Sequence, residues 1–135
     1  VMFSRVGVLG FLGVSGGLAG YYFLRSFDHD HKSVINGYTE GNVVTIFSTT
    51  TCPYCVTAKN LLDRNNIPYQ SIELDKTEDT PHILPSLLYV TKQNTVPNIF
   101  IGNTHIGGYD SLSFLMKNEP NKFNSMIEKA KSMIK

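Results

Sequence analysis

The chain has almost no charge imbalance: 12 Lys and Arg stand against 11 Asp and Glu, for a formal net charge of +1. A nucleic-acid binder held by phosphate contacts normally carries a basic excess, so that class is set aside. Cysteine is scarce as well. There are two, Cys52 and Cys55, and a pair so close in sequence closes only a tiny loop. It cannot staple a small secreted fold. No internal repeat or low-complexity tract occurs. The 135 residues must therefore fold by burial alone, and a hydrophobic content of 41% with 17% charged residues is ordinary for such a domain.

The first 25 residues are different from the rest. From Val6 to Leu24 the sequence reads VGVLGFLGVSGGLAGYYFL, uncharged and flanked by Arg5 and Arg25. That length suffices for a helix to cross a hydrocarbon core of roughly 30 Å. Its many glycines weaken a soluble helix but suit close packing in lipid. Residues 1–25 are read as a membrane anchor or secretory signal, which places the protein at a membrane or in the secretory-pathway lumen. A mitochondrial leader is the alternative, since Arg and Ser occur and no acid precedes Asp28. Residues 26–40, RSFDHDHKSVINGYTE from Arg25 onward, read as a linker. Within it His29, Asp30 and His31 form a metal-like triplet, but alternating side chains need ligands from elsewhere, so a solvated stalk is expected.

From residue 41 to 135 strand and helix alternate. Asn42–Phe47 is apolar and β-branched, as in a buried strand. Next come a threonine cluster and Cys52, and Pro53 suits the first turn of a helix. Val56, Leu61 and Leu62 supply its apolar face, and the helix ends near Asn66, before Pro68. Tyr69–Leu74 makes a second strand. Pro81 and Pro85 predict a short or late-starting helix around Ser86–Thr91. Asn98–Ile101 and Thr104–Gly108 form a hairpin across Gly102-Asn103. A last helix carries Phe123, Met126, Ile127, Ala130, Met133 and Ile134 on one stripe. The order β-α-β-α-β-β-α implies an α/β fold, a mixed sheet covered by helices.

Cys52 then falls at a strand-to-helix junction. Free N–H groups and partial positive charge at a helix start favour a thiolate there. Cys55, one turn in, is more sheltered and placed to attack a mixed disulfide on Cys52. A zinc site lacks the second cysteine pair it would need.

CPYC after an apolar strand, TVPNIFIG at Thr95–Gly102 and HIGGYD at His105–Asp110 together resemble a dithiol glutaredoxin of the thioredoxin-fold superfamily. The resemblance covers residues 41–135 and implies a central mixed four-stranded sheet flanked by helices. It implies Cys52 as nucleophile and Cys55 as resolving thiol, together forming the redox-active disulfide. It also implies a glutathione site at Thr49, Tyr54, Thr95, Val96, Pro97, Gly108, Tyr109 and Asp110, with Pro97 the family's cis proline. Thr95 and Val96 would present a strand edge to the cysteine backbone of glutathione. Gly108, Tyr109 and Asp110 would offer helix-start N–H groups to its γ-glutamyl carboxylate.

The expected activity is glutathione-dependent reduction of glutathione mixed disulfides and protein disulfides by a monomer. Its partners are glutathionylated or disulfide-bonded proteins, with glutathione as cosubstrate, no metal and no tightly bound cofactor. Two other readings are a carrier of a glutathione-ligated [2Fe–2S] cluster and a lumenal thioredoxin-type thiol oxidase or isomerase. The chain also departs from the family. Many relatives have Lys where Thr49 stands, Arg or Lys in place of Asn94, Gln in place of Leu84 and a second acid in place of Ser111. Two missing cations predict weaker glutathione binding and a less readily ionised nucleophile, with Lys92 placed to compensate in part.

Overall fold

A computed structural model describes residues 30–134. The apolar run at 6–24, and with it the expected hydrophobic helix, lies outside the described residues. Among those described, no helix is long and apolar enough to cross a membrane.

The order of elements is helix α1 (described over 30–39), β1 (Val44–Ser48), α2 (Pro53–Arg64), β2 (Tyr69–Glu73), α3 (Thr80–Thr91), β3 (Asn98–Ile101), β4 (Thr104–Gly107), α4 (Tyr109–Asn118) and α5 (Pro120–Met133). The strands form one sheet in the order β2-β1-β3-β4. β1 runs parallel to β2 and antiparallel to β3, and β3 pairs antiparallel with β4. This is the mixed four-stranded sheet the resemblance implies.

Strand alternation sorts the core into two layers. Val44, Ile46, Ile99 and Ile101 face Ala58 and Leu62 of α2, Leu112 and Leu115 of α4, and Phe123, Ile127 and Ala130 of α5. Phe47 and Phe100 face Ile83 and Leu87 of α3 and Ile35 of α1. Every residue of β1 is buried, because helices cover both faces of the sheet.

Four expectations need correction. The segment expected to be a linker is helical from residue 30. Its polar composition hides a short stripe, in which Ile35 is buried and Val34 and Tyr38 pack beside it. Side-chain contacts complete the docking. Tyr38 donates to Asp79 Oδ2 at 2.9 Å, and Thr39 to Asn103 Oδ1 at 2.8 Å. His31 of the metal-like triplet is spent on α3, with Nδ1 3.0 Å from Ser86 Oγ and its ring stacked on Tyr89.

The helix placed at Ser86–Thr91 begins at Thr80 instead. Pro81 occupies its first turn, where an N–H has no intrahelical acceptor, so only Pro85 removes an interior bond. On α2 the buried residues are Cys55, Ala58 and Leu62, whereas Val56 is exposed. At the carboxyl end Phe123, Ile127 and Ala130 are buried, but Met133 and Ile134 project into solvent beyond the sheet.

Candidate functional site

Cys52 is the N-cap of α2, with extended backbone (φ −87°, ψ 113°), and Pro53 follows in the first turn. The Cys55 N–H donates to Cys52 Sγ at 3.2 Å, so the sulfur does the work that Ser or Asp does at other helix starts. Cys52 Sγ–H lies 3.7 Å from the Val96 carbonyl oxygen. Both cysteines are free thiols, Cys52 half-buried and Cys55 buried. Burial pushes the Cys55 thiol up from its ordinary value. Its hydrogen bond with Cys52 adds to that rise, while hydrogen bonds with the Thr49 backbone and the Ser48 hydroxyl oppose it.

The threonines before Cys52 have distinct jobs. The Thr49 carbonyl accepts from the Cys52 N–H at 3.3 Å. The Thr50 N–H donates to Asp75 at 3.1 Å, and the Thr50 hydroxyl bonds the same carboxylate. That hydroxyl is the main cause of Asp75 sitting below its ordinary value. Asp75, just beyond β2, thus ties the approach to the dithiol in place. Nothing local in the sequence signals this pairing across 25 residues.

A second carboxylate lies behind the dithiol. Glu73 forms an ion pair with Lys59 of α2 and accepts hydrogen bonds from Ser71 at 2.6 Å and Ser48 at 3.1 Å. Burial pushes Glu73 up, but the bonds from Lys59, Ser71 and Ser48 outweigh it and hold the carboxyl below its ordinary value. Its stabilisation is therefore present above the unfolded carboxyl value of about 4.3 and is lost as pH falls through the lower folded value. Glu73→Gln is expected to cost about 1 kcal/mol at neutral pH and to flatten the acid limb of the stability curve. Urea unfolding at several pH values checks this. Parallel acid limbs for wild type and variant would show that Glu73 contributes no such dependence.

The turn from Thr95 to Pro97 faces the cysteines, and the Val96–Pro97 peptide is cis, as the resemblance implies. Gln93, absent from the sequence-based set, holds this turn. Its Nε2 donates to the carbonyls of Thr95 and Pro97, each at 3.0 Å. Tyr54, Gln93, Thr95–Pro97 and Gly108–Ser111 line a groove of about 380 Å³ beside Cys52. Seven of the eight expected glutathione positions therefore share one groove. Thr49, the eighth, is not among its lining residues but bonds directly to Cys52.

Tyr54 and Tyr109 stand with ring centroids 6.2 Å apart. At the far end Gly108 is the N-cap of α4 and offers no side chain to its first turn. The position that demands glycine is its neighbour. Gly107 has φ +122°, and a Cβ there would lie 2.8 Å from Ser111 Oγ, whereas one at Gly108 would make only ordinary contact. Lys92 lines neither this groove nor the one beyond Val96, and its Nζ sits over the Tyr89 ring. It is not positioned to replace the missing cations. A larger cavity of about 550 Å³, between β4 and the last two helices, has neither cysteine nor the 95–97 turn in its lining.

The glutaredoxin family model matches residues 44–106. A glutaredoxin of Ricinus communis is 50% identical over 70 residues, which span 52% of this chain and 69% of that protein. Glutaredoxin-C2 of Arabidopsis thaliana is 43% identical over 86 residues, 64% of this chain and 74% of the relative. The crystal structure of a buckwheat glutaredoxin–glutathione complex superposes with a TM-score of 0.66 at 36% identity, covering 77% of this chain and 93% of the other. On these grounds the chain belongs to the glutaredoxin family of thiol–disulfide oxidoreductases.

Proposed function

We propose that this protein reduces glutathione mixed disulfides and protein disulfides with glutathione as the electron donor. The observation that carries the reading is the groove beside Cys52, which joins the nucleophile's neighbour Val96 to the uncapped start of α4. A cysteine backbone paired along Thr95 and Val96 brings its sulfur to Cys52. The γ-glutamyl carboxylate then reaches the N–H groups at Gly108–Asp110, a placement suited to an anion. The buckwheat relative, solved with glutathione, supports the assignment.

In the reaction Cys52 thiolate attacks a substrate disulfide and expels one thiolate. On a protein disulfide Cys55 then attacks Cys52 Sγ, releasing the second substrate thiol and closing the Cys52–Cys55 disulfide. Two glutathiones reopen it and leave as glutathione disulfide, so the electrons balance. The domain acts as a monomer on glutathionylated or disulfide-bonded proteins. Turnover of a small glutathione mixed disulfide, coupled to glutathione and glutathione reductase, tests the reading. Sustained glutathione-dependent turnover is expected, and an oxidised enzyme that glutathione fails to reduce overturns it.

Thr49 bears on the strength of that cycle. Its side chain brings no cation to the dithiol. Thr49→Lys is expected to lower the KM for glutathione and to raise the rate of Cys52 alkylation at neutral pH. A variant alkylated no faster than wild type would show that a cation here does not assist the sulfur.

A further inference from the structure

A second groove, of about 450 Å³, opens on the other side of Val96. It shares Gln93, Thr95 and Val96 with the groove beside Cys52, so the two are continuous around one strip of backbone. Their chemistry differs. The second groove is floored by Leu74 and Leu87 and walled by Leu84, Pro85 and Leu88 of α3, and no charged side chain lines it. Leu84 and Leu88, four residues apart on one helix face, are each 49% exposed. Asn94 contributes only a neutral amide.

A ligand whose cysteine pairs with Val96 and whose γ-glutamyl end lies at Gly108–Asp110 must send its carboxyl-terminal side toward Leu84. For glutathione that end is a carboxylate, and this groove offers it neither a cation nor a charged partner. For a peptide it is the residue that follows the cysteine. We propose that the groove between α3 and Val96 binds an apolar side chain immediately after the reacting cysteine of a peptide or protein disulfide, and so selects Cys–apolar sequences as substrates. This rests on the reading of Cys52 as the exchanging thiol. In the exchange, Cys52 thiolate attacks the sulfur of the seated cysteine and the departing thiolate carries away the bonding pair. Cys55 then attacks Cys52 Sγ, and its proton ends on the released peptide thiol.

The test uses pre-reduced full-length enzyme in single turnover, without glutathione. The probes are three blocked tripeptide amides, Ala-Cys-Leu, Ala-Cys-Asn and Leu-Cys-Ala, each carrying thionitrobenzoate in disulfide linkage on its cysteine. Release of the coloured thiolate reports the attack. Ala-Cys-Leu is expected to react about tenfold faster than either of the others, the low end of what one apolar side chain contributes to discrimination. In the double variant Leu84→Gln/Leu88→Gln the ratios should fall to within about twofold. Each ratio is read within one protein, so a loss of folded material cancels.

Equal wild-type rates overturn the proposal, whether the groove is unused or is covered by residues ahead of 30. So does a preference that survives in the double variant, and so does a faster reaction with leucine before the cysteine. Since no glutathione is present, a failure of the glutathione-coupled cycle leaves these ratios readable.

Discussion

Cys52→Ser is expected to bring glutathione-coupled turnover down to the uncatalysed background, while Cys55→Ser keeps much of the activity on a glutathione mixed disulfide and loses the reduction of protein disulfides. The asymmetry follows from where the two sulfurs sit. Cys52 is half-buried at the cap of α2, with its sulfur beside the carbonyl of Val96, which lines the groove, and with the Cys55 N–H donating to that sulfur. A serine hydroxyl there would still cap the helix, so the fold persists while the nucleophile is lost. Cys55 is wholly buried one turn behind, and burial holds its thiol up. It cannot meet a substrate in solution but can reach a disulfide formed on Cys52. Steady-state rates on both substrate types check this. Equal loss in the two variants would refute the division of labour. Alkylation gives an independent readout: at neutral pH iodoacetamide should modify Cys52 in the folded protein and Cys55 only after denaturation.

Phe47→Ala is expected to destabilise the protein by about 3–5 kcal/mol, a large share of the stability of an ordinary domain. Phe47 lies in the central strand β1 and is completely buried, with edge contacts to Phe100 at 5.8 Å and Tyr38 at 6.1 Å between centroids. It joins α1 and α3 to the sheet, so its truncation leaves a cavity at the meeting of three elements. Val56→Ala is the contrasting case. Val56 is half exposed on α2, and its truncation should change stability by no more than about 0.5 kcal/mol. Urea unfolding measures both. A loss below about 1 kcal/mol for Phe47→Ala would show that the α1–α3 layer contributes little to the fold.

The apolar strand at 42–47, the cysteine pair and the proline after it were legible because each signal is local. A buried strand, a helix start and a two-residue hairpin are written in consecutive residues. Strand β1 was placed within two residues of its observed Val44–Ser48, and the hairpin at Asn98–Gly107 within one. α1 is not legible because its buried face is essentially Ile35 with Val34 and Tyr38 beside it, too few for a periodic pattern amid polar neighbours. The early start of α3 is not legible because Pro81 and Pro85 look alike in the sequence, although only Pro85 removes an interior hydrogen bond.

The amino-acid sequence by itself determined the alternation of strand and helix from β1 to β4 and the close pair of thiols in CPYC at the start of α2. These depend on residue identity and short spacings. Only the tertiary structure decided what surrounds them. It brought Asp75 to Thr50 and Glu73 to Lys59 and Ser48. It set Leu84 and Leu88 beside Val96. The physical reason is that such contacts join residues far apart along the chain. They appear only once β1 lies between β2 and β3 and the helices close over both faces of the sheet.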